Sequence, residues 1–252
     1  MKKIKHLSGM QLVVIVALTL ISFVSCTAEF PTEIQSKSAK EISTEMMSRN
    51  TPNYPENPEN PYDIVGQLSV IILDDYLHLE IGASTTQSVI NQVEGLAQLR
   101  AKFLELVPNN YNAPPHTTID SILLIHPSDK IAFAKLSEYS SQAKITLFRI
   151  MDSLVVFQEL KKEDFIIKDF IINYEAAILS DSTLTPIDKK MLLTTTSIAR
   201  YGLFYAKERP RNKRDRDWEI SWGNMYAPAV GSKDNQAKAL IMAVAVGILY
   251  NK

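Results

Sequence analysis

From Asp164 to Leu179 the chain runs for sixteen residues with neither glycine nor proline. Phe165, Ile166, Ile167, Phe170, Ile171, Ile172, Ala176, Ala177 and Ile178 set apolar side chains on almost every side of that stretch. The run is well beyond the usual strand of about five or six residues, so its β-branched content does not decide for a sheet. A helix without a wide polar face is normally a central one, and the expectation is a buried helix at the middle of the body, with Phe170 and Ile171 in the core. Glycine scarcity extends the constraint to the whole chain. Only 8 glycines occur in 252 residues, far under the average of about 7%. That leaves few sites for hairpin turns and suits long uninterrupted helices. The expected fold class is all-α.

The helical period recurs from Tyr62 onward. Asn60 or Pro61 opens a first helix that carries Ile64, Val65, Leu68, Ile71, Ile72 and Leu79 at three- and four-residue spacing, with a break near Gly82. Ser84 to Thr86 offer caps for a second, with Val89, Ile90, Val93, Leu96, Ala97, Phe103, Leu104 and Val107 on one face, ended by Pro108. Residues 108–120, with Pro114-Pro115, read as a loop. Ser128 caps a third helix holding Ile131, Phe133, Ala134 and Leu136, and a fourth runs from about Ala143 to Leu160, continuous with the third or separate from it. After the apolar helix at 164–179, Thr185-Pro186-Ile187-Asp188 is the clearest helix start in the chain. It combines an N-cap, proline at the first helical position and a carboxylate at the third, near the positive end of the dipole. That helix is expected to reach about Lys207. A last one, Asp234 to Tyr250, carries small residues at Ala237, Ala239, Ala243, Ala245 and Gly247, so neighbouring backbones can approach closely. The sum is a single bundle of six to seven helices over residues 62–252.

The chain ahead of that body has two parts. Lys2, Lys3 and Lys5 precede an apolar run from Leu12 to Val24 that is interrupted by Thr19 and Ser22. It is too short for a spanning helix and has the form of an export signal over residues 1–25. Phe23-Val24-Ser25-Cys26 resembles the lipobox of bacterial lipoproteins, with Phe23 where leucine is usual. The resemblance implies that Cys26 is lipidated and becomes the mature N-terminus. The rival cleavage lies after Ala28, with Cys26 and Ala28 as the two small residues of an ordinary site, and would give a secreted soluble helical protein. Cys26 is the only cysteine, so an exported chain has no internal disulfide to build and the residue needs another purpose. Residues 26–61, rich in Ser, Asn and the regularly spaced Pro52, Pro55, Pro58 and Pro61, hold too few apolar groups to offset the entropy of ordering and read as an extended tether. Of the 27 Lys and Arg, three precede Cys26, and 28 Asp and Glu follow it. The mature chain is therefore net acidic, which argues against nucleic acid as a partner.

Three stretches carry a wider resemblance: Asn60-Pro-Tyr-Asp-Ile-Val-Gly-Gln-Leu-Ser-Val-Ile-Ile-Leu-Asp74, Ser197-Ile-Ala-Arg-Tyr-Gly-Leu-Phe-Tyr205, and the final Asp-then-Ala/Gly helix. Over residues 60–250 the chain is similar to a group of all-helical exported bacterial proteins, in which the first stretch often has His-Asn at the positions of Ser69-Val70. The resemblance implies export and a helical body. It brings no activity and no cofactor.

Four features have chemical potential, each with a plainer alternative. Asp74, Asp75 and His78 fall within one helical turn, where an acid and a histidine at i, i+3 or i+4 spacing share a metal, with Glu80 as a further ligand. The other reading is a solvated face bearing an acid–histidine pair, since His116 and His126 sit in loop contexts. The run from Lys207 to Asp217, including Arg211, Lys213 and Arg214, suits an anionic surface, glycan or acidic partner; its interspersed acids equally suit a solvated interhelical loop. Trp218, Trp222 and Tyr226, spaced by four, stack along one side if helical and are of the types enriched at binding hot spots, or else close the bundle as core. Leu240 to Leu249 is too short to span a bilayer and reads as a buried helix. No Gly-rich phosphate loop, serine elbow or solenoid repeat is present in the sequence. The expected function is that of an envelope lipoprotein, at the outer membrane through Cys26, which works by binding an envelope protein or a glycan. A metal-assisted hydrolase built on the Asp74, Asp75 and His78 face is the alternative.

Overall fold

In the computed structural model, residues 55–79, 85–125, 136–208 and 222–250 are described, and they belong to one compact unit. The elements are α1 (Asp63–Leu77), α2 (Thr86–Gln98), α3 (Ala101–Leu104), α4 (His116–Leu123), α5 (Ser141–Glu159), α6 (Asp164–Ser180), α7 (Pro186–Glu208), α8 (Trp222–Ser232) and α9 (Gln236–Tyr250). The fold is all-α, with no strand among the described residues. None of these helices is long and apolar enough to cross a membrane.

Local signals account for several boundaries. At the start of α7, the Thr185 hydroxyl donates to Asp188 Oδ2 (2.8 Å) and accepts the Asp188 N–H (3.1 Å), while Thr185 N–H donates to the same carboxylate (3.2 Å). Two orphan backbone donors are thereby satisfied reciprocally. The Asp188 carboxyl is held below its usual range: these hydrogen bonds, with those from Ser140, outweigh its burial. Ser140 caps α5 by accepting the Ala143 N–H at 3.1 Å, and Thr85 caps α2 through Ser88 N–H at 3.2 Å.

Other elements differ from the expectation. The helix foreseen from Ser84 to Val107 breaks at Arg100, whose backbone is extended (φ −102°, ψ 114°); α2 ends there and α3 is a single turn. His116–Leu123 forms α4 inside the stretch read as loop. Pro115, at φ −62° and ψ 136°, stands ahead of the helix as its N-cap residue, where proline starts a helix instead of breaking one. Trp222–Ser232 forms α8 despite Pro228, which lies inside it and is buried. The helix foreseen from Ser128 falls largely on residues outside the described ones; of its apolar members Leu136 is described, and it is buried.

The centre of the bundle is α7, not α6. Every residue from Met191 to Tyr201 is buried, and α7 packs against α1, α5, α6, α8 and α9. Two apolar clusters meet across it. One holds Val65, Ile72, Val89, Phe103, Ile119, Leu240 and Val246 from α1, α2, α3, α4 and α9. The other holds Leu147, Ile150, Leu154, Ile171 and Leu192 from α5, α6 and α7. α6 is a flanking helix that buries one stripe, Ile167, Ile171, Glu175 and Ile178. Ile171 is fully buried as foreseen, but Phe170 is half-buried at the edge, edge-on to Phe157 at 4.9 Å. Small residues do bring α8 and α9 together. A methyl on Gly231 would lie 2.6 Å from Ala239 Cα, so only glycine permits that crossing.

Residues 55–61, placed in the tether by their composition, pack as part of the body. Pro55, Asn57 and Asn60 are buried. Asn57 and Asn60 repeat one device: each side-chain oxygen accepts a backbone N–H two residues on (Glu59 at 3.3 Å, Tyr62 at 2.9 Å), the turn that asparagine forms readily.

Candidate functional site

The largest fully buried side chain is that of Arg200, in α7. It lies against Asp63 of α1, bonded through Nη2 to Oδ1, and against Glu175 of α6, 3.3 Å from Oε2. Glu175 is wholly buried and accepts from Asn57 Nδ2 at 2.6 Å. Asp63 accepts from Tyr201 OH at 2.8 Å and from Asn57 N–H at 3.2 Å. Asn60 Nδ2 reaches the Leu193 carbonyl at 3.1 Å. Burial pushes the Glu175 carboxyl above its usual range, against the pull of Arg200 and Asn57. Burial, with the Asp63 charge beside it, likewise raises the Tyr201 phenol. A charge of this size is tolerated away from water only when paired, and here one guanidinium sits between two carboxylates. Arg200 Nε and Nη1 are buried without a hydrogen-bond partner.

Two of the sequence stretches singled out for their resemblance meet at this point. Ser197 Oγ donates to the Asp63 carbonyl (3.0 Å) and accepts Gly66 N–H (3.0 Å), and Tyr205 OH donates to Asp74. The cluster was not foreseen as a unit. Its available signal was a lone Glu175 and a lone Arg200 on helices otherwise apolar or uncharged in that turn, since buried charges come in pairs.

The Asp74, Asp75 and His78 turn has other commitments. Asp74 receives Tyr205, Asp75 is paired with Arg100, and His78 Nδ1 is 2.8 Å from the Asp74 carbonyl and 3.5 Å from its carboxylate. The His78 side chain is 77% exposed. Among the described residues no three His, Cys, Asp or Glu side chains gather to hold a metal ion; Glu80 and His126 lie outside those residues, and His116 begins α4, not a loop.

Arg211, Lys213, Arg214 and Trp218 lie outside the described residues, as do Cys26 and the export signal. Trp222 opens α8. Tyr226 is half-buried and packs against both apolar clusters, and burial raises its phenol. It serves the core more than an outer face.

The structure brings forward a different place. A cleft of about 480 Å³ opens between the loop after α3, the first turns of α7 and the start of α9, lined by Leu106, Pro108, Asn110, Asn112, Lys190, Asp234, Asn235, Gln236 and Lys238. Asp234 and Lys238 pair at 2.6 Å, and Asn235 Oδ1 caps α9 through Lys238 N–H at 2.8 Å. Sequence reasoning missed this set, because its residues come from three separate regions and amides follow no diagnostic spacing. The Asn109-Asn110-Tyr111-Asn112 run was the one local hint.

No family model, curated protein or solved structure matches the chain.

Proposed function

We propose that the chain is an exported lipoprotein, anchored through Cys26 in the cell envelope, whose helical body works by binding an envelope component or a glycan. The observation that carries this reading is the junction at Pro55–Asn60. A segment that holds a body near a membrane needs a firm attachment at its inner end. Here Asn57 and Asn60 deliver the chain to buried polar groups of the bundle, Glu175 and the Leu193 carbonyl. Binding is favoured by the lining of the cleft, where amides and an ammonium group stand ready to hold a polar ligand.

The test is mass spectrometry of the mature N-terminus. An acylated Cys26 is expected, and Cys26→Ser should leave unprocessed or released protein. A free Glu29 N-terminus would overturn the anchor in favour of secretion after Ala28.

A further inference from the structure

We infer that the cleft between the loop Leu106–Asn112, Lys190 and the start of α9 binds an acidic sugar, a ring bearing several hydroxyls and one carboxylate. The inference rests on the binding half of the function proposed above and names its ligand class.

The charge of the cleft comes first. Asp234 and Lys238 neutralise each other at 2.6 Å. Lys190 has no hydrogen-bond or ion-pair partner among the described residues. One ammonium group therefore sets the sign, and it suits a single carboxylate, one per ring of an acidic sugar. The amides set the rest. Asn235 has spent its oxygen on the cap and has Nδ2 left to donate. Asn112 has spent Nδ2 on the Asn110 carbonyl at 3.3 Å and has its oxygen left to accept. The Asn110 and Gln236 amides offer both roles. A hydroxyl group also donates and accepts at once, so a mixed set of amides matches a run of ring hydroxyls.

A bare phosphate fits less well. The free Asn112 oxygen and the second Asp234 oxygen call for hydroxyl donors, of which a phosphate ion carries one or two at neutral pH and a sugar ring several. Leu106 and Pro108 supply the apolar patch on which a ring's C–H face can lie. The volume falls within the range of about 300 to 1,000 Å³ common to small-molecule sites.

The experiment titrates the full mature chain, purified in detergent, by calorimetry with four probes: trimers of galacturonate and of glucuronate, a neutral galactose trimer, and inorganic phosphate. Saturable binding of an acidic trimer is expected, with the neutral trimer weaker and phosphate unable to compete. Lys190→Gln should weaken the acidic trimer by up to about fivefold, the scale of one exposed ion pair, and leave the neutral trimer unchanged. Asn110→Ala with Asn112→Ala should weaken both sugars. Lys102→Gln, at an exposed lysine that does not line the cleft, should change neither. Equal affinity for acidic and neutral trimers, acidic binding unchanged in Lys190→Gln, or no saturable binding of any probe would each overturn the inference. The proposed function fails separately, at the N-terminus, if Cys26 carries no lipid.

Discussion

α6 and α7 lie side by side, and neither buries what its apolar content alone would suggest. α6 has Phe165, Ile166, Ile167, Phe170, Ile171 and Ile172 in its first half, yet Ile166 is exposed and Phe170 half-buried. α7 runs through Thr194, Thr195, Thr196 and Ser197, and all four are fully buried. Two of the four hydroxyls offset the cost of burial by bonding locally: Thr195 Oγ1 to the Met191 carbonyl at 2.9 Å, Thr196 Oγ1 to that of Leu193 at 3.2 Å. Such back-bonds to residues three or four earlier satisfy the side chain within its own helix. Small size then does the rest. A methyl added at Gly66 would fall 2.3 Å from Ser197 Oγ, so α1 approaches α7 as closely as its backbone permits. Apolar content tells which residues gain from burial. Slenderness and self-satisfied polar groups tell which helix other helices can surround.

The largest effect should come from the charge at the heart of α7. Arg200→Leu leaves Asp63 and the fully buried Glu175 without their cation, and breaking a buried pair from one side costs about 3 to 5 kcal/mol. Urea unfolding measures it. A loss below about 1 kcal/mol would place Arg200 among ordinary surface charges and remove the centre assigned to α7.

Next come the two faces of α6. Ile171→Ala should cost about 2 to 5 kcal/mol, as fully buried aliphatic truncations do. Phe170→Ala, at the half-buried edge, should cost about 1 to 2 kcal/mol, well short of the full-burial range. If Phe170→Ala proves the more damaging, α6 is central after all.

The Glu175 carboxyl provides a pH test of the same contact. Its value is raised in the fold above the ordinary 4.5, so the folded state holds its proton more tightly than the unfolded chain. Its contribution to stability is complete below pH 4.5 and is lost as pH rises through the raised value. Glu175→Gln keeps an acceptor for Asn57 and removes the titration. The stability of wild type relative to this variant should therefore fall from pH 4 upward and then level off. A pH-independent difference would show that the carboxyl is not held above its usual range.

Legibility followed range. The α7 start was readable because its whole cap spans Thr185 to Asp188. The last helix was readable because its small residues face neighbours along its length. The inner end of the tether was not, since Asn57 and Asn60 are ordered by Glu175 and Leu193, more than a hundred residues away. Pro114-Pro115 misled in the other direction: read as breakers, they precede α4. Of the candidate site, Lys190 and the asparagines were invisible because their meeting is tertiary. The Asp74, Asp75 and His78 spacing was visible, but spacing alone does not show that Tyr205 and Arg100 already engage the acids.

The smallest expected effect isolates what the hydroxyls of α7 contribute. Thr194 and Thr195 are adjacent and fully buried, but Thr195 Oγ1 bonds the Met191 carbonyl while Thr194 Oγ1 is buried with no partner. Valine has nearly the same shape, so each Thr→Val change removes little besides the hydroxyl. Thr195→Val gives up a bond worth about 0.5 to 1.5 kcal/mol. Thr194→Val removes an unsatisfied polar atom from the core, and replacing such an atom by a methyl is neutral or stabilising. Urea unfolding of both variants should thus give opposite signs, or a loss for Thr195→Val against no change for Thr194→Val. Equal losses would mean that α7 owes its burial to something other than hydroxyls that satisfy themselves.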